Sequence, residues 1–540
     1  MCSTFPTGGT PAKNKFALMH SRVSLLVMFS FPRRAVAMMT LAIFGLSACS
    51  AGSTASQNSL VHESNDHSVT LGLTAPPSSL DFTTTSGAAI PQALMGNVYE
   101  GLVRVNQNGE VEPLLASSWE VSEDGTQYVF HLREGVRFSN GDAFTADTAK
   151  FSIDRVLSDA WTNGLKAQMS KVTNTRVIDT HTLEVTLAHR SNTWLWSMGT
   201  LIGAMMSPRG VSDLATKPVG TGPYEVDNWA VGTSLSFTSR GEYWGESPKN
   251  KRAVLRYFAD AISLTNAVRS GDVDAVIGLQ SPELLESIQR DGDLNINVGT
   301  TNGEVLLTMN HARAPFNDLR VRQAVMFGVD RQAIIDTTWE GYGIDTGGAP
   351  VPPTDPWYQK AEQYPFDPDR ARQLMDEAGA TGTKITISVP SLPYAATASE
   401  ILYSQLRDIG FDVSIESTEF PSVWLAKVYK GHDYDMSVIA HTEARDIPNI
   451  FANPKYYLGY DDKKVQELIA QADTVDEADY VPTMKKAVTR ILDQAAADNL
   501  FNLPNIVVTA KNVSGVPVNA VGDGLLLAAI AKEEPRKVTH

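Results

Sequence analysis

Residues 217–226 read KPVGTGPYEV. Two glycines and two prolines in ten residues force a tight, irregular backbone rather than a helix or a regular strand. Gly220-Thr221-Gly222 has the look of a phosphate-binding loop. The third glycine of such a loop is missing, however, and Pro223 stops any helix that would open there. The segment is read as a loop that shapes the backbone near a domain crossover, not as a donor of side chains to a nucleotide.

Outward from this loop, helix and strand signals alternate. On the N-terminal side, SVTLGL (68–73), GLVRV (101–105) and TQYVFHLR (126–133) read as short strands, with turns at Asn108-Gly109 and Asp124-Gly125. On the C-terminal side, DPDRARQLMDEAG (367–379) is a helix: Asp367 caps it, Pro368 suits its first position and Gly379 ends it. Ala371, Leu374, Met375 and Ala378 form its apolar stripe. SEILYSQLRDIGFDVSIE (399–416) passes from a helical stripe through Gly410 to the period-two run Phe411, Val413, Ile415. KKVQELIAQAD (463–473) is helical, with Val465, Leu468, Ile469 and Ala472 inward. The chain is mixed α/β with several sheets, and no long structureless insertion is expected after residue 68.

The chain has 540 residues, 43% of them apolar and 20% charged, an ordinary globular composition that should divide into two or three domains. Its net charge of −16 argues against nucleic acid and anionic membrane surfaces as main partners. An enzyme is not indicated. HExxH, GxSxG, CxxC and a complete phosphate loop are all missing, and the ten histidines include no pair at helical spacing that would suggest zinc. No cofactor or metal is expected.

The first 48 residues stand apart. They carry Lys13, Lys15, Arg22, Arg33 and Arg34 and no acid, so the remainder is more acidic than the whole. Arg33-Arg34 is followed by the uncharged run 35–48 and then Cys49, with the other cysteine at position 2. A positive flank, a short apolar run and small residues before a cut describe a secretory signal, and the run is too short to span a bilayer permanently. Leu46-Ser47-Ala48-Cys49 resembles the bacterial lipobox, which implies lipidation of Cys49 and removal of 1–48; an ordinary signal that abuts a cysteine is the alternative. Residues 49–68 are then a flexible tether. A signal of this length is unusual, and translation from an internal methionine such as Met19 or Met28 would shorten it.

Several further stretches belong together: PSSLDF (77–82), NVYEGLV (97–103), EPLLASSWEVSEDGTQYVFHLREGVRFSNGDAFTADTAKFS (112–152), SGDVDAV (270–276), PFNDLRVRQAVMFGVDRQAII (315–335) and DYDMSVI (433–439). With KPVGTGPYEV, they resemble, in order, the family 5 extracellular solute-binding proteins of ABC importers, the oligopeptide, dipeptide and nickel receptors. Most of these residues have a structural reading of their own. In LRVRQAV, Asp318 caps a helix, Val321, Ala324 and Val325 face inward, and Arg320 and Arg322 are solvated or paired; Trp119 is read as core.

The resemblance implies a two-lobed α/β fold of the periplasmic-binding-protein type (type II, cluster C), with an extra inserted domain and hinge closure on ligand. The first lobe would use 69–97, 216–300 and 505–540, the inserted domain 98–215, and the second lobe 301–504. It further implies a monomeric lipoprotein on the extracytoplasmic face of the cell membrane, handing di- or oligopeptides to permease subunits. In peptide-binding members an aspartate of the second lobe pairs with the α-ammonium. Carried over, it falls in HTEARDIPNIFANPKYYLGYDD (441–462), on Asp446 or, if the alignment slips, Glu443. Arg445 is then the candidate partner of the solute carboxylate. Asp446 also stands as a possible cap of a helix starting near Pro448. Trp424, Trp357 and Tyr358 are candidate cleft aromatics. His441 is the candidate contact if the solute is instead a chelated metal or haem. A surface scaffold or chaperone-like lipoprotein is the alternative of another class.

Overall fold

Val69, Leu71 and Leu73 are buried on one face of the first strand, β1 (Ser68–Leu73), and Gly72 is buried on the other, against the Leu264 side chain. The computed structural model describes residues 68–533. The signal segment, Cys49 and the tether before Ser68 lie outside the described residues. Nine further strands join β1 in one sheet: β2 (Tyr224–Ala230), β3 (Ser234–Ser239), β4 (Arg252–Tyr257), β5 (Ala275–Val276), β6 (Leu294–Met309), β7 (Lys384–Pro390), β8 (Asp412–Thr418), β9 (Met436–His441) and β10 (Ala497–Ala510). Their spatial order is β8-β7-β9-β6-β10-β5-β1-β4-β3-β2. β1 runs parallel to β4 and β5, and β7 runs parallel to β8 and β9; the remaining pairs are antiparallel.

The two long strands, β6 and β10, carry the chain through the middle of the molecule. Their ladder runs from Leu294–Ala510 to Thr300–Pro504, breaks, and resumes at Glu304–Asn502. Across the break, the Asn502 side-chain amide donates to the Thr301 carbonyl at 2.8 Å and the Thr301 hydroxyl donates to the Leu503 carbonyl at 2.9 Å. Such an irregularity bends a strand pair. Beyond it, Val305, Leu307 and Met309 enter one apolar core while Leu306 enters another with Trp357, Trp424 and Tyr457. The sheet is therefore covered on both faces, and Glu304 lies on the Leu306 face by the two-residue alternation.

A separate antiparallel sheet has the order Ala116–Val121, Gln127–Leu132, Thr182–Leu187, Val172–Asp179. The helix Ala146–Leu157, opened by a Thr145–Thr148 capping box, packs on it. Trp119 is half-buried at the rim of this core. The KPVGTGPYEV loop presses its backbone onto residues 97–98: the Gly222 and Tyr224 amides donate to Val98 and Asn97 carbonyls, both at 2.9 Å. A Cβ on Gly220 would sit 1.9 Å from the Val98 oxygen, so close backbone approach is what requires glycine there.

Helices Pro368–Ala378, Pro393–Asp408 and Lys463–Thr474 form where their stripes predict, the first with Asp367 accepting from the Arg370 amide at 2.9 Å. Two expectations need correction. Arg322 is neither solvated nor ion-paired: it is buried and donates to the carbonyls of Phe316 and Gln494, which are left over where elements end. A long segment with neither helix nor strand does exist, at 340–367. Isolated bridges of Ile344 to Asn502 and of Gly348 to Asn499 pin it to β10. Its Pro and Gly content prevents regular pairing, and it delivers Asp355, Trp357 and Tyr358 to the centre of the molecule.

Candidate functional site

Where β9 ends, residues 442–446 turn away from the sheet, with Arg445 in a left-handed conformation (φ 55°), and enter the short helix Ile447–Phe451. A cavity of about 410 Å³ opens at this turn, lined among others by Tyr429, His441, Glu443, Asp446, Asn449 and Tyr456. A larger hollow of about 580 Å³ beside Asn295, Asn297 and Ser514 contains no titratable side chain in its wall. The chemistry is concentrated in the smaller one.

Asp446 is 6% exposed. Its main-chain carbonyl accepts from the Asn449 and Ile450 amides at 2.8 and 3.1 Å, while its side chain makes no cap hydrogen bond. The capping role therefore falls to the backbone, and the carboxylate is left facing the cavity. Burial, then Glu443 and Asp355, raise its pKa well above the ordinary aspartate value. The His441 Nδ1 lies 3.9 Å away. This is not an ion pair, because burial pushes the imidazole down to about 4 and keeps it neutral near pH 7. His441 Nε2 meets the Tyr457 hydroxyl at 3.0 Å, and the two rings stack at 6.0 Å and 12°.

Two more carboxylates lie behind Asp446. Glu304 is directly opposite His441 in the β6–β9 ladder, so both side chains leave the same face of the sheet. Burial, then Asp446 and Asp355, raise its pKa well above the usual range. Asp355, from the 340–367 segment, is lifted to about 7 by burial, partly offset by Arg445. Neither Glu304 nor Asp355 was legible as a site residue. Glu304 heads the apolar run VLLTM, and a charge at the head of a buried strand is the one signal that marks it. Asp355 sits among turn-forming residues in PPTDP, where an aspartate ordinarily shapes a turn.

The sequence-predicted residues divide accordingly. Asp446, Glu443 and His441 line the cavity together. Arg445 turns away from it: its Nη2 donates to the Gly109 carbonyl at 3.1 Å, and its guanidinium lies 4.4 Å from the Trp196 ring and 5.3 Å from the Trp357 ring. Trp357 is thus a buried wall for Arg445, and the half-buried Tyr358 packs beside the same core. Trp424 is committed to the core, its indole N–H donating to the Ser437 hydroxyl at 3.0 Å. Among the described residues, no group of three or more His, Cys, Asp or Glu is placed to hold a metal ion, and no helix is long and apolar enough to cross a membrane.

Residues 110–488 match the sequence profile of the bacterial extracellular solute-binding proteins, family 5 Middle. A nickel-binding periplasmic protein of Escherichia coli (strain K12) is 25% identical over 480 residues, 81% of this chain and 90% of the relative. A glutathione-binding protein GsiB of Escherichia coli O1:K1 / APEC is 28% identical over 340 residues, 61% of this chain and 65% of the relative. Among solved structures, NikA from Brucella suis in complex with Fe(III)-EDTA superposes with a TM-score of 0.76 at 24% identity, covering 86% of this chain and 100% of that one. DppA from Helicobacter pylori in complex with the peptide STSA gives 0.73 at 23%, covering 86% and 98%. These neighbours share the two-lobed periplasmic-binding-protein fold with mixed α/β content. A match over most of the chain, on this fold, has one meaning: the chain belongs to the family 5 bacterial extracellular solute-binding proteins, the receptors of ABC importers.

Proposed function

We propose that the solute is a short peptide, captured between a first lobe (69–97, 216–300, 505–540, with 98–215 inserted) and a second lobe (301–504), and passed to an ABC permease. The observation that carries this reading is Asp446: a cavity-lining carboxylate, 6% exposed, whose side chain makes no cap hydrogen bond and whose charged neighbours are acids, Glu443 and Asp355. A buried carboxylate without a cationic partner is costly, and an ammonium group placed beside it gains a charge-assisted hydrogen bond, about twice as strong as a neutral one. Glu443 stands at the rim as a second acceptor. Peptides vary in sequence but always present this ammonium, so a receptor for them is best anchored there. The partner of the solute carboxylate is not Arg445, whose guanidinium is already engaged.

The receptor would act as a monomer held to the outer face of the cell membrane by lipid on Cys49, which keeps it beside its permease. A second reading keeps the fold and replaces the peptide with a chelated metal or haem, since His441 lines the cavity. It is weaker because one ring nitrogen is already taken by Tyr457 and the other faces Asp446.

Thermal unfolding of the purified protein against di- to pentapeptides, their N-acetylated forms, nickel–histidine and haem tests both. A ligand at 100 times its Kd adds about 2.7 kcal/mol to stability. Stabilisation by free peptides that acetylation and Asp446→Asn both abolish is the expected result. A shift only with nickel–histidine or haem would overturn the peptide assignment.

A further inference from the structure

The carboxylates behind Asp446 are more than one ammonium group can satisfy. His441, Glu304 and Asn502 form a single cross-strand row, paired Glu304–His441 on one side and Glu304–Asn502 on the other, so all three side chains share one face of the sheet. His441 is the member that lines the cavity. Behind it, Glu304 is 2% exposed and Asn502 fully buried, and neither Glu304 Oε2 nor Asn502 Oδ1 has a protein donor. Asp355, 7% exposed, adds a third such atom, Oδ2. The side-chain atoms left without a protein partner here are thus all acceptors.

Charge tells the same story. The charged groups acting on Glu304 are Asp446 and Asp355, and those acting on Asp446 are Glu443 and Asp355. Asp355 alone feels a cation, Arg445, whose guanidinium is held by the Gly109 carbonyl and two indoles. His441 is neutral near pH 7. Three buried acids therefore face one fixed cation, and burial disfavours their charged forms until a cation is supplied.

We infer that the solute carries two cationic nitrogens, one bound at Asp446 and the other reaching the Glu304–Asn502–Asp355 acceptors. Within the peptide reading, on which this inference builds, the solute is a peptide whose N-terminal residue has a basic side chain. The same chemistry in a free diamine would satisfy the same atoms. In this inference the neutral His441 and the rings of Tyr456 and Tyr457, which pack against one another, would flank the methylene stem of a lysine-like side chain.

Calorimetric titration of the purified protein at pH 7.5 with Lys-Ala-Ala, its neutral counterpart norleucine-Ala-Ala, putrescine and butylamine tests this. Lys-Ala-Ala is expected to bind at least tenfold more tightly than norleucine-Ala-Ala. Glu304→Gln and Asp355→Asn should each bring that ratio towards one, with cooperative thermal unfolding showing that the variants are folded. Binding of both peptides with equal affinity, or a ratio unchanged in both variants, overturns the inference while sparing the peptide reading. Putrescine bound more tightly than butylamine, with no peptide bound, sustains the dication and overturns the peptide. Failure of every dication to exceed its monocationic counterpart overturns it.

Discussion

Lys171 and Asp473, 302 residues apart in the chain, are joined by an ion pair that ties the four-stranded sheet region to the helix Lys463–Thr474. Asp473 also accepts from the Ser191 hydroxyl at 2.8 Å, the Thr193 amide at 3.1 Å and the Thr193 hydroxyl at 2.8 Å. Beside it, the Asn192 amide group donates to the Ala472 and Val475 carbonyls at 2.8 and 2.9 Å. Burial alone would raise the Asp473 pKa, but Lys171, Thr193 and Ser191 outweigh it and hold the carboxyl below its ordinary value. Arg445 makes the second bridge of this kind, sharing the Gly109 carbonyl with the Trp196 indole.

In the proposed domain division, both bridges join the inserted domain to the second lobe, so opening the lobes would strain or break them. Lys171→Met leaves a half-buried carboxylate short of its cation and is expected to lower unfolding stability by about 1–3 kcal/mol. Solute affinity should fall with it, because closure and binding are linked. Urea unfolding and calorimetry on the same variant check the two effects. Unchanged affinity would mean that the bridge persists in the open form.

Asp446→Asn should separate stability from function. It removes a buried carboxyl that has acidic neighbours and no cationic partner, so the solute-free protein is expected to gain about 1–3 kcal/mol. The same change should weaken peptide binding by tenfold or more. A loss of stability together with binding would assign Asp446 to the fold instead.

Asp355 makes stability depend on pH in a known direction. Its pKa rises from 3.8 to about 7 on folding, so the folded state holds more protons than the unfolded state between those values. Its contribution to stability is therefore full at low pH and declines as pH rises from about 4 to about 7. Asp355→Asn should match the parent near pH 4 and exceed it by pH 7.5, by an amount on the order of 2–4 kcal/mol. Urea midpoints across that range measure the difference. A gap that does not widen with pH would show that Asp355 titrates normally.

Gly220→Ala places a methyl carbon 1.9 Å from the Val98 carbonyl, where backbone rather than a flexible side chain must give way. A loss of about 3 kcal/mol is expected. Gly232→Ala is the control: nothing lies within 4 Å, but its φ of +74° makes the change strained, so a smaller loss of about 1 kcal/mol is expected. Thermal unfolding of both variants reads the contrast.

Much of the fold is legible because its signals are local. The Asp367 cap, Pro368 and Gly379 bound one helix within a dozen residues, and the stripe of Val465, Leu468, Ile469 and Ala472 marks the buried face of another. The ordered series of motifs placed the chain among solute receptors, and Asp446, Glu443 and His441 do share a cavity, being close neighbours at the end of one strand. What spacing cannot report is direction and distance between remote segments. Arg445 follows Glu443 by two residues, yet its left-handed backbone turns the side chain to Trp196 and Gly109. Trp424 has the composition of a cleft aromatic, but Ser437 draws its indole into the core. Glu304 and Asp355 are unremarkable where they stand in the chain. They become buried acids because the β6–β9 ladder sets Glu304 opposite His441 and an irregular segment folds Asp355 beneath Asp446. Local spacing and motif order were enough for many of the elements, for the family and for a segment that lines a cavity. Only the packing of segments far apart in the chain decided the site's charge, because desolvation and Coulomb energy depend on distances through space.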